Sequence, residues 1–250
     1  MQAPEPENIE NMFSVGYYNW RPNQGGSGYF GGAPSLDPAR QRLALPDPPA
    51  RGNGYEVTVP TGGNNRLEIG YWKLADSGQL RATRDLEVYA ANIAKGEGIN
   101  ALYNYTNIRI AWNYLTFPVP PLDSRFRIKS FWEFQYFHAK TQLAFPDRVD
   151  TNGNVPLVQP KESVKLPGVG IGFEYVPNRS FRVEGRISGM GFPGRSRYID
   201  AQVSAAGRIA NFVEFFGGLK GYHFRTTPKN PQFIEGTLWG PFFGLRFVLN

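Results

Sequence analysis

The chain is predicted to be all-β, an up-and-down antiparallel barrel of about ten strands. Three observations lead there. Apolar and charged residues alternate with a period of two in one segment after another, which is the signature of extended strands with two unlike faces. The composition, with 29 Gly, 21 Pro and 15% aromatic residues in 250, suits many turns and few helices. Long and short connections also alternate along the chain, as they do when strands run up and down around a closed sheet.

The alternation is cleanest in Val169 to Gly189, "VGIGFEYVPNRSFRVEGRISG". Val169, Ile171, Phe173, Tyr175, Phe181, Val183 and Ile187 make one surface, and Glu174, Arg182, Glu184, Arg186 and Ser188 make the other. The turn Pro177-Asn178-Arg179-Ser180 joins the halves, because proline presets one dihedral and asparagine tolerates the left-handed region.

In chain order, residues 1–11 are rich in Pro and Glu and read as a flexible tail before a single barrel over 12–250. Phe13 to Trp20 is a short aromatic strand. Residues 21–53 hold too much Gly and Pro for regular structure and form a long loop. Tyr55 to Pro60 and Arg66 to Leu74 make a hairpin around "TGGNN". Residues 76–98 form a second long polar excursion that can carry short strand extensions, with a helix over Asp85 to Ala94 as the weaker option. Tyr103 to Phe117, Phe126 to Phe145, the hairpin above, Ile199 to Ala205, Val213 to Leu219 and Phe243 to Leu249 complete the strands. Further long loops fall at 146–163 and 226–232, and the connector "MGFPGR" is short where the alternation calls for a long one. An even strand count puts both termini at the short-turn rim.

With no cysteine there is no disulfide framework, cysteine nucleophile or thiolate metal site. The net charge of +6 is spread along the chain rather than clustered, which argues against nucleic acid as a partner. No stretch reaches the ~20 apolar residues of a spanning helix, but a spanning strand needs only about ten alternating ones. The start "MQAPEPENIENMF" has no basic and apolar leader, so export requires that a signal peptide has been removed and that Met1 is an added start.

The polar faces supply the candidate site. Arg109, Arg127, Lys129, Arg182, Arg186, Lys220 and Arg246 stand against Glu68, Glu133, Glu174, Glu184, Asp200 and Glu214, all with the parity of the polar surface. Their near balance points to paired networks inside a barrel, because an unpartnered buried charge costs several kcal/mol. Gly168, Gly170 and Gly172 share that face and leave room for long arginine side chains. His138 and His223 have the parity of the outward aromatics, and no spacing supports a dyad with Asp85 or Asp150. "DTNGN" at Asp150 to Asn154 resembles the start of a calcium loop, but Val155 and Lys161 replace the required glycine and glutamate, so no metal is expected. "GVGIG" lies within a strand pattern with no helix after it and is not a nucleotide loop. No cofactor and no catalytic residue is expected.

The strands "FRIKSFWEFQYFHAK", "FRVEGRISG" and "GPFFGLRFVL", with the loop alternation, resemble Gram-negative outer-membrane β-barrels over roughly residues 55 to 250. The likeness departs at the end, where Phe247 is followed by Val248, Leu249 and Asn250 rather than being terminal. It implies a transmembrane β-barrel in the outer membrane, porin-like, with outer-membrane lipid around it and the barrel-assembly machinery as partner during biogenesis. Aromatics near strand ends fit interfacial girdles: Tyr114, Phe117, Phe126, Tyr175 and Phe181 at the short turns, and Tyr136, Phe192, Tyr222 and Trp239 at the long loops. The expected role is structural or loop-presenting with at most a narrow small-solute path. Long loops then face away from the cell and Tyr29, Phe30, Tyr89 and Tyr103 are the aromatics to watch. A soluble lipocalin-like carrier of an apolar ligand, with its apolar face turned inward, and a membrane-barrel hydrolase are the alternatives.

Overall fold

The computed structural model describes residues 12–23, 27–30, 42–44, 51–62, 64–88, 91–118, 125–178, 180–191, 196–226 and 234–249. Among these, ten strands pair with their neighbours in chain order and close on themselves. They are β1 Phe13–Trp20, β2 Arg51–Gly62, β3 Asn65–Arg81, β4 Gly98–Phe117, β5 Phe126–Ala144, β6 Lys161–Asn178, β7 Phe181–Gly191, β8 Arg197–Ala210, β9 Val213–Arg225 and β10 Ile234–Leu249. Every pairing is antiparallel, and β1 seals the sheet against β10, with Phe13 opposite Leu249 and Trp20 opposite Phe242. Closure matters physically because a strand edge with unpaired N–H and C=O groups cannot be left facing hydrocarbon. No helix occurs among the described residues.

The two faces of each strand differ as the alternation requires. Outward residues include Ile108, Ile110, Trp112 and Tyr114 on β4, Phe126, Trp132 and Phe134 on β5, and Phe243, Leu245 and Phe247 on β10, all exposed. Trp132 is 74% exposed and Ile171 59%. Contiguous apolar exposure on this scale far exceeds the few hundred Å² that a water-soluble monomer tolerates. A lipocalin-like carrier needs the reverse arrangement, with charges outside, and the placement of Arg109, Glu133 and Glu174 on the buried face excludes it.

Several strands are longer than the sequence pattern indicates. β3 runs on to Arg81 and β4 begins at Gly98, pairing Arg81 with Gly98, so the excursion expected over 76–98 narrows to 82–97. Leu86–Val88 and Ala91–Ile93 pair there as a small hairpin, which replaces the helix considered for Asp85 to Ala94. Within the long loop at 21–53, Ser27–Phe30 pairs with the start of β10 and with Arg42–Ala44, and β2 already begins at Arg51, so that stretch is not devoid of regular structure. Leu157–Val158 adds a two-residue pairing to the end of β5. Apart from the 86–93 hairpin, whose two strands form a sheet of their own, backbone pairing against an existing strand edge outweighs the weak local propensity of a Gly- and Pro-rich or polar segment. Residues 1–11, 192–195 and 227–233, which carry the predicted tail, most of the "MGFPGR" connector and the last predicted loop, lie outside the described residues.

Candidate lumen site

The inward face divides into two chambers. In the half towards the short turns, the structure places Arg109, Arg127, Lys129, Glu133, Glu174, Arg182, Glu214 and Arg246 buried, with Glu68, Glu184 and Arg186 half-buried beside them, and it buries Asp200 and Lys220 higher up, beside Tyr222 and Trp20. Glu133 accepts from Arg109 Nε at 2.5 Å, and Arg109 Nη1 reaches Glu68 at 3.0 Å. Glu174 receives Lys129 Nζ at 2.7 Å and the guanidinium of Arg66. Arg182 bridges Glu214 at 2.5 Å and Glu184 at 3.1 Å, while Arg246 reaches Glu184 at 3.3 Å. Lys220 lies 3.5 Å from Asp200. A carboxylate shared by two cations offsets more of its desolvation cost than a single pair does.

Three members of this cluster were not selected from the sequence. Glu56 lies 3.4 Å from Arg186, Arg66 is 3.1 Å from Glu68, and Arg208 is 3.1 Å from Glu214. Each has the parity of the polar face on its own strand, and Glu56 and Arg66 lie within the strands assigned from the sequence, so the period of two already marks them; Arg208 sits beside a register shift at Ala210. A cavity of about 80 Å³ remains among Ser14, Glu56, Arg66, Asn113, Lys129, Phe131 and Gln202. It has room for a few waters.

Two of the three glycines on β6 make room for aromatic side chains instead of arginines. A side chain at Gly168 would meet the Tyr198 hydroxyl at 1.6 Å, and one at Gly170 would meet Phe131 at 2.3 Å. The space at Gly168 and Gly170 is therefore taken by a tyrosine and a phenylalanine, and only Gly172 lies against an arginine, where a side chain would meet Arg186 at 3.8 Å.

Above the charged layer the chemistry changes abruptly. Asn107 donates to Gln135 at 3.0 Å and to the Tyr222 hydroxyl at 3.2 Å, and the Tyr198 hydroxyl donates to Glu133 at 2.8 Å. These polar tips form the floor of an aromatic plug. Trp20, Trp72, Tyr105, Phe137, Tyr222 and Phe224 fill the lumen on the long-loop side, with ring centroids 4.3 Å apart for Phe137 and Phe224 and 5.2 Å for Trp72 against both Trp20 and Tyr222. Tyr103 and Tyr222, expected at the loops and in the girdle, are buried in this plug, with 0% and 1% exposed. The other girdle residues that are described do face outward, with Tyr114, Phe117, Phe126, Tyr175, Phe181 and Trp239 exposed and Tyr136 half-buried.

The hairpin over 86–93 supplies Leu86, Val88 and Ile93 to the same buried cluster, and so closes over the barrel mouth. Charged ties hold it down. Arg148 donates to Glu97 at 2.7 Å and to the carbonyl of Asn92, and Asp147 accepts from the backbone of Gly98 at 2.7 Å. The hydrogen bond from Arg148 lowers the pKa of Glu97 below the ordinary carboxylate value.

The histidines sit on the outer surface near the long loops. His138 Nδ1 is 2.8 Å from Ser163 Oγ, and His223 Nδ1 is 2.9 Å from Thr237 Oγ1 with Glu235 3.7 Å from its other nitrogen. Neither meets Asp85, which accepts from the backbone of Lys95, or Asp150, whose carboxylate accepts from the backbones of Asn152 and Asn154 and closes its own turn. The Asp150 carboxylate is thus committed within "DTNGN", and the described residues hold no group of His, Asp or Glu arranged for a metal.

A closed antiparallel ten-stranded barrel, apolar outside and charged within, is the fold of an outer-membrane β-barrel protein. No family model matches the chain, and no curated protein matches it by sequence. Among solved structures it is similar to the outer membrane protease OmpT of Escherichia coli, with 11% identity, a TM-score of 0.56 and coverage of 96% of this chain and 98% of that one. At that identity the likeness shows the fold alone. Ail, the attachment invasion locus protein of Yersinia pestis, aligns at 8% identity over 95% of this chain and 97% of its own, with a TM-score of 0.39. The toluene transporter TodX of Pseudomonas putida aligns at 8% over 98% and 90%, with a TM-score of 0.30.

Proposed function

We propose that the protein is an outer-membrane barrel with a structural or loop-presenting role and a closed lumen, rather than a channel or an enzyme. The observation that carries this is the filling of the lumen from both ends. Paired arginines and glutamates occupy the short-turn half, stacked aromatics occupy the long-loop half, and the hairpin at 86–93 packs onto them. Ten strands enclose little more space than side chains fill, whereas open aqueous porins use about sixteen or more. The outward positions of His138 and His223, away from Asp85 and Asp150, support a non-catalytic reading.

In this reading the long loops face away from the cell, because rigid barrels carry their contacts on loops. Tyr103 leaves the set of contact aromatics, since the plug buries it. Protease added to intact cells should cut within residues 21–53, and cutting only after disruption of the outer membrane would reverse the orientation. Planar-bilayer recording on the purified protein tests the closed lumen. The expected result is no stable conductance, with openings appearing when Trp72, Phe137 and Tyr222 are replaced together by alanine. Large, stable, ion-selective conductance from the unaltered protein would overturn the proposal, and charge reversal at Arg182 or Arg186 would then alter the selectivity.

A further inference from the structure

The outward face of β5 and β6 changes chemistry at one level. On β5 the outward positions from Phe126 to Tyr136 are apolar or aromatic except Ser130, and on β6 the same holds from Val169 to Tyr175. The ten-residue step from Phe126 to Tyr136, at ~3.4 Å per residue and a tilt of ~45°, spans about 25 Å, the height of a barrel's apolar band. Immediately above it, cross-strand partners are Lys165 with Tyr136, Ser163 with His138, and Lys161 with Lys140. The three lysines therefore stand where hydrocarbon gives way to headgroups, on the side of the long loops.

The Lys161 and Lys140 pair is anomalous. Like charges directly opposite on one face of a sheet repel and destabilise it. Among the described residues, none of the three lysines has a carboxylate partner, and the contact they do show is Lys165 Nζ over the Tyr136 ring at 5.9 Å. Elsewhere on the same rim Arg197 and Arg225 share Glu235, at 2.6 and 3.5 Å. The lysine patch also holds neutral donors, with the Ser163 hydroxyl 2.8 Å from His138 Nδ1 and 3.4 Å from the Tyr136 hydroxyl. Lysine stems can lie along the apolar band while the ammonium groups turn up to its edge. Converging cations with hydroxyl and imidazole groups between them suit an oxyanion carrying more than one negative charge.

We infer that the outward patch of Lys140, Lys161 and Lys165, with Ser163 and His138, binds the phosphate-bearing headgroup of an anionic lipid in the leaflet that meets the long loops. The inference rests on the membrane placement proposed above. A bound phosphate removes the repulsion between Lys140 and Lys161 and fixes the barrel's height in its leaflet.

The test uses the full chain reconstituted in vesicles of phosphatidylcholine alone and of phosphatidylcholine with a minor fraction of phosphatidic acid. Spin-labelled lipids report which species the barrel immobilises. Phosphatidic acid should be preferred over phosphatidylcholine, and at about 1 kcal/mol per lysine near a membrane surface each of Lys140→Gln, Lys161→Gln and Lys165→Gln should reduce that preference roughly fivefold. The variants should fold, since the lysines face outward and pair with no carboxylate, and heat-modifiable gel mobility checks this. Inorganic phosphate, added up to matching ionic strength with chloride, should not displace the lipid; displacement would show a free-anion site and overturn the inference. Equal immobilisation of the two lipids by inserted, folded wild type would also overturn it, as would an undiminished preference in the triple variant. Failure to insert into either vesicle would instead sink the membrane placement on which the inference stands.

Discussion

Replacing Glu133 by leucine isolates the energetics of the lumen network. The carboxylate is fully buried and accepts three hydrogen bonds, from Arg109 Nε at 2.5 Å, Tyr198 at 2.8 Å and Gln135 Nε2 at 2.7 Å. Breaking a buried ion pair from one side costs about 3–5 kcal/mol, because the remaining charge stays desolvated without compensation. Arg109 keeps Glu68 at 3.0 Å, which places the expected loss for Glu133→Leu near the lower end, ~3 kcal/mol. Arg109→Leu should cost about as much, since it strips one cation from both Glu133 and Glu68. The double variant removes both charges of the pair and leaves the neutral donors of Tyr198 and Gln135 unsatisfied, a cost of about 1–3 kcal/mol, while Glu68 keeps Arg66 and Arg186. The double should therefore be markedly more stable than the sum of the singles predicts. Urea unfolding in detergent micelles, followed by tryptophan fluorescence and gel mobility, measures all four corners of the cycle. Losses that add within ~0.5 kcal/mol would refute direct coupling and with it the network as the filling of the lower lumen.

Other outcomes follow from the same geometry. Gly168→Ala drives a methyl group into the Tyr198 hydroxyl at 1.6 Å and should destabilise the barrel by about 1–3 kcal/mol, a loss that the added change Tyr198→Phe should partly recover in the same unfolding assay; no recovery would mean that the backbone, not the tyrosine, carries the strain. Trp132→Arg puts a charge near the middle of the outward apolar band and should cost about 2–4 kcal/mol in vesicles, whereas an unchanged or raised stability would contradict a lipid-facing surface. Glu97 has its pKa lowered by Arg148, so its contribution is complete above the unfolded glutamate value of ~4.3 and is lost as pH falls through the folded value. Pepsin should accordingly cut within 82–97 more readily at the acid end than it does at the same pH in Glu97→Gln after each is normalised to its own rate near the ordinary glutamate value; identical profiles would remove the Arg148 tie as the cause.

Much of the barrel is legible because charge is an unambiguous marker of face. Arg109, Lys129, Glu133 and Glu174 cannot meet hydrocarbon without large cost, so each one fixes the phase of its strand. The hairpins and the closure of β1 on β10 follow from that phase together with the turn chemistry. What residue type alone hides is the plug. An aromatic ring is as well suited to a dry lumen as to an interfacial belt, so its identity does not say which side it takes. Assigning Tyr103 and Tyr222 outward rests on type and strand position, and both assumptions fail. The hairpin at 86–93 was hidden for a different reason: its pairing is too short to show a period, and its burial depends on a mouth that exists only after the barrel has closed.

The phase nevertheless contains the missing information, because a strand without a bulge cannot change faces. Register shifts in the barrel are confined to the short-turn ends, at Pro60/Gly62, Leu115/Phe117, Tyr175/Asn178 and Arg208/Ala210. Between those ends the parity set by a charge in the lower half holds to the upper rim. Counting by twos from Arg109 reaches Asn107, Tyr105 and Tyr103, and counting from Lys220 reaches Tyr222 and Phe224, all inside. From Glu174 the same count puts Glu162 on the inward parity and Lys161, Ser163 and Lys165 outside. The buried charges of the lower lumen thus determine which side chains plug the upper lumen and which lysines are left to face the membrane.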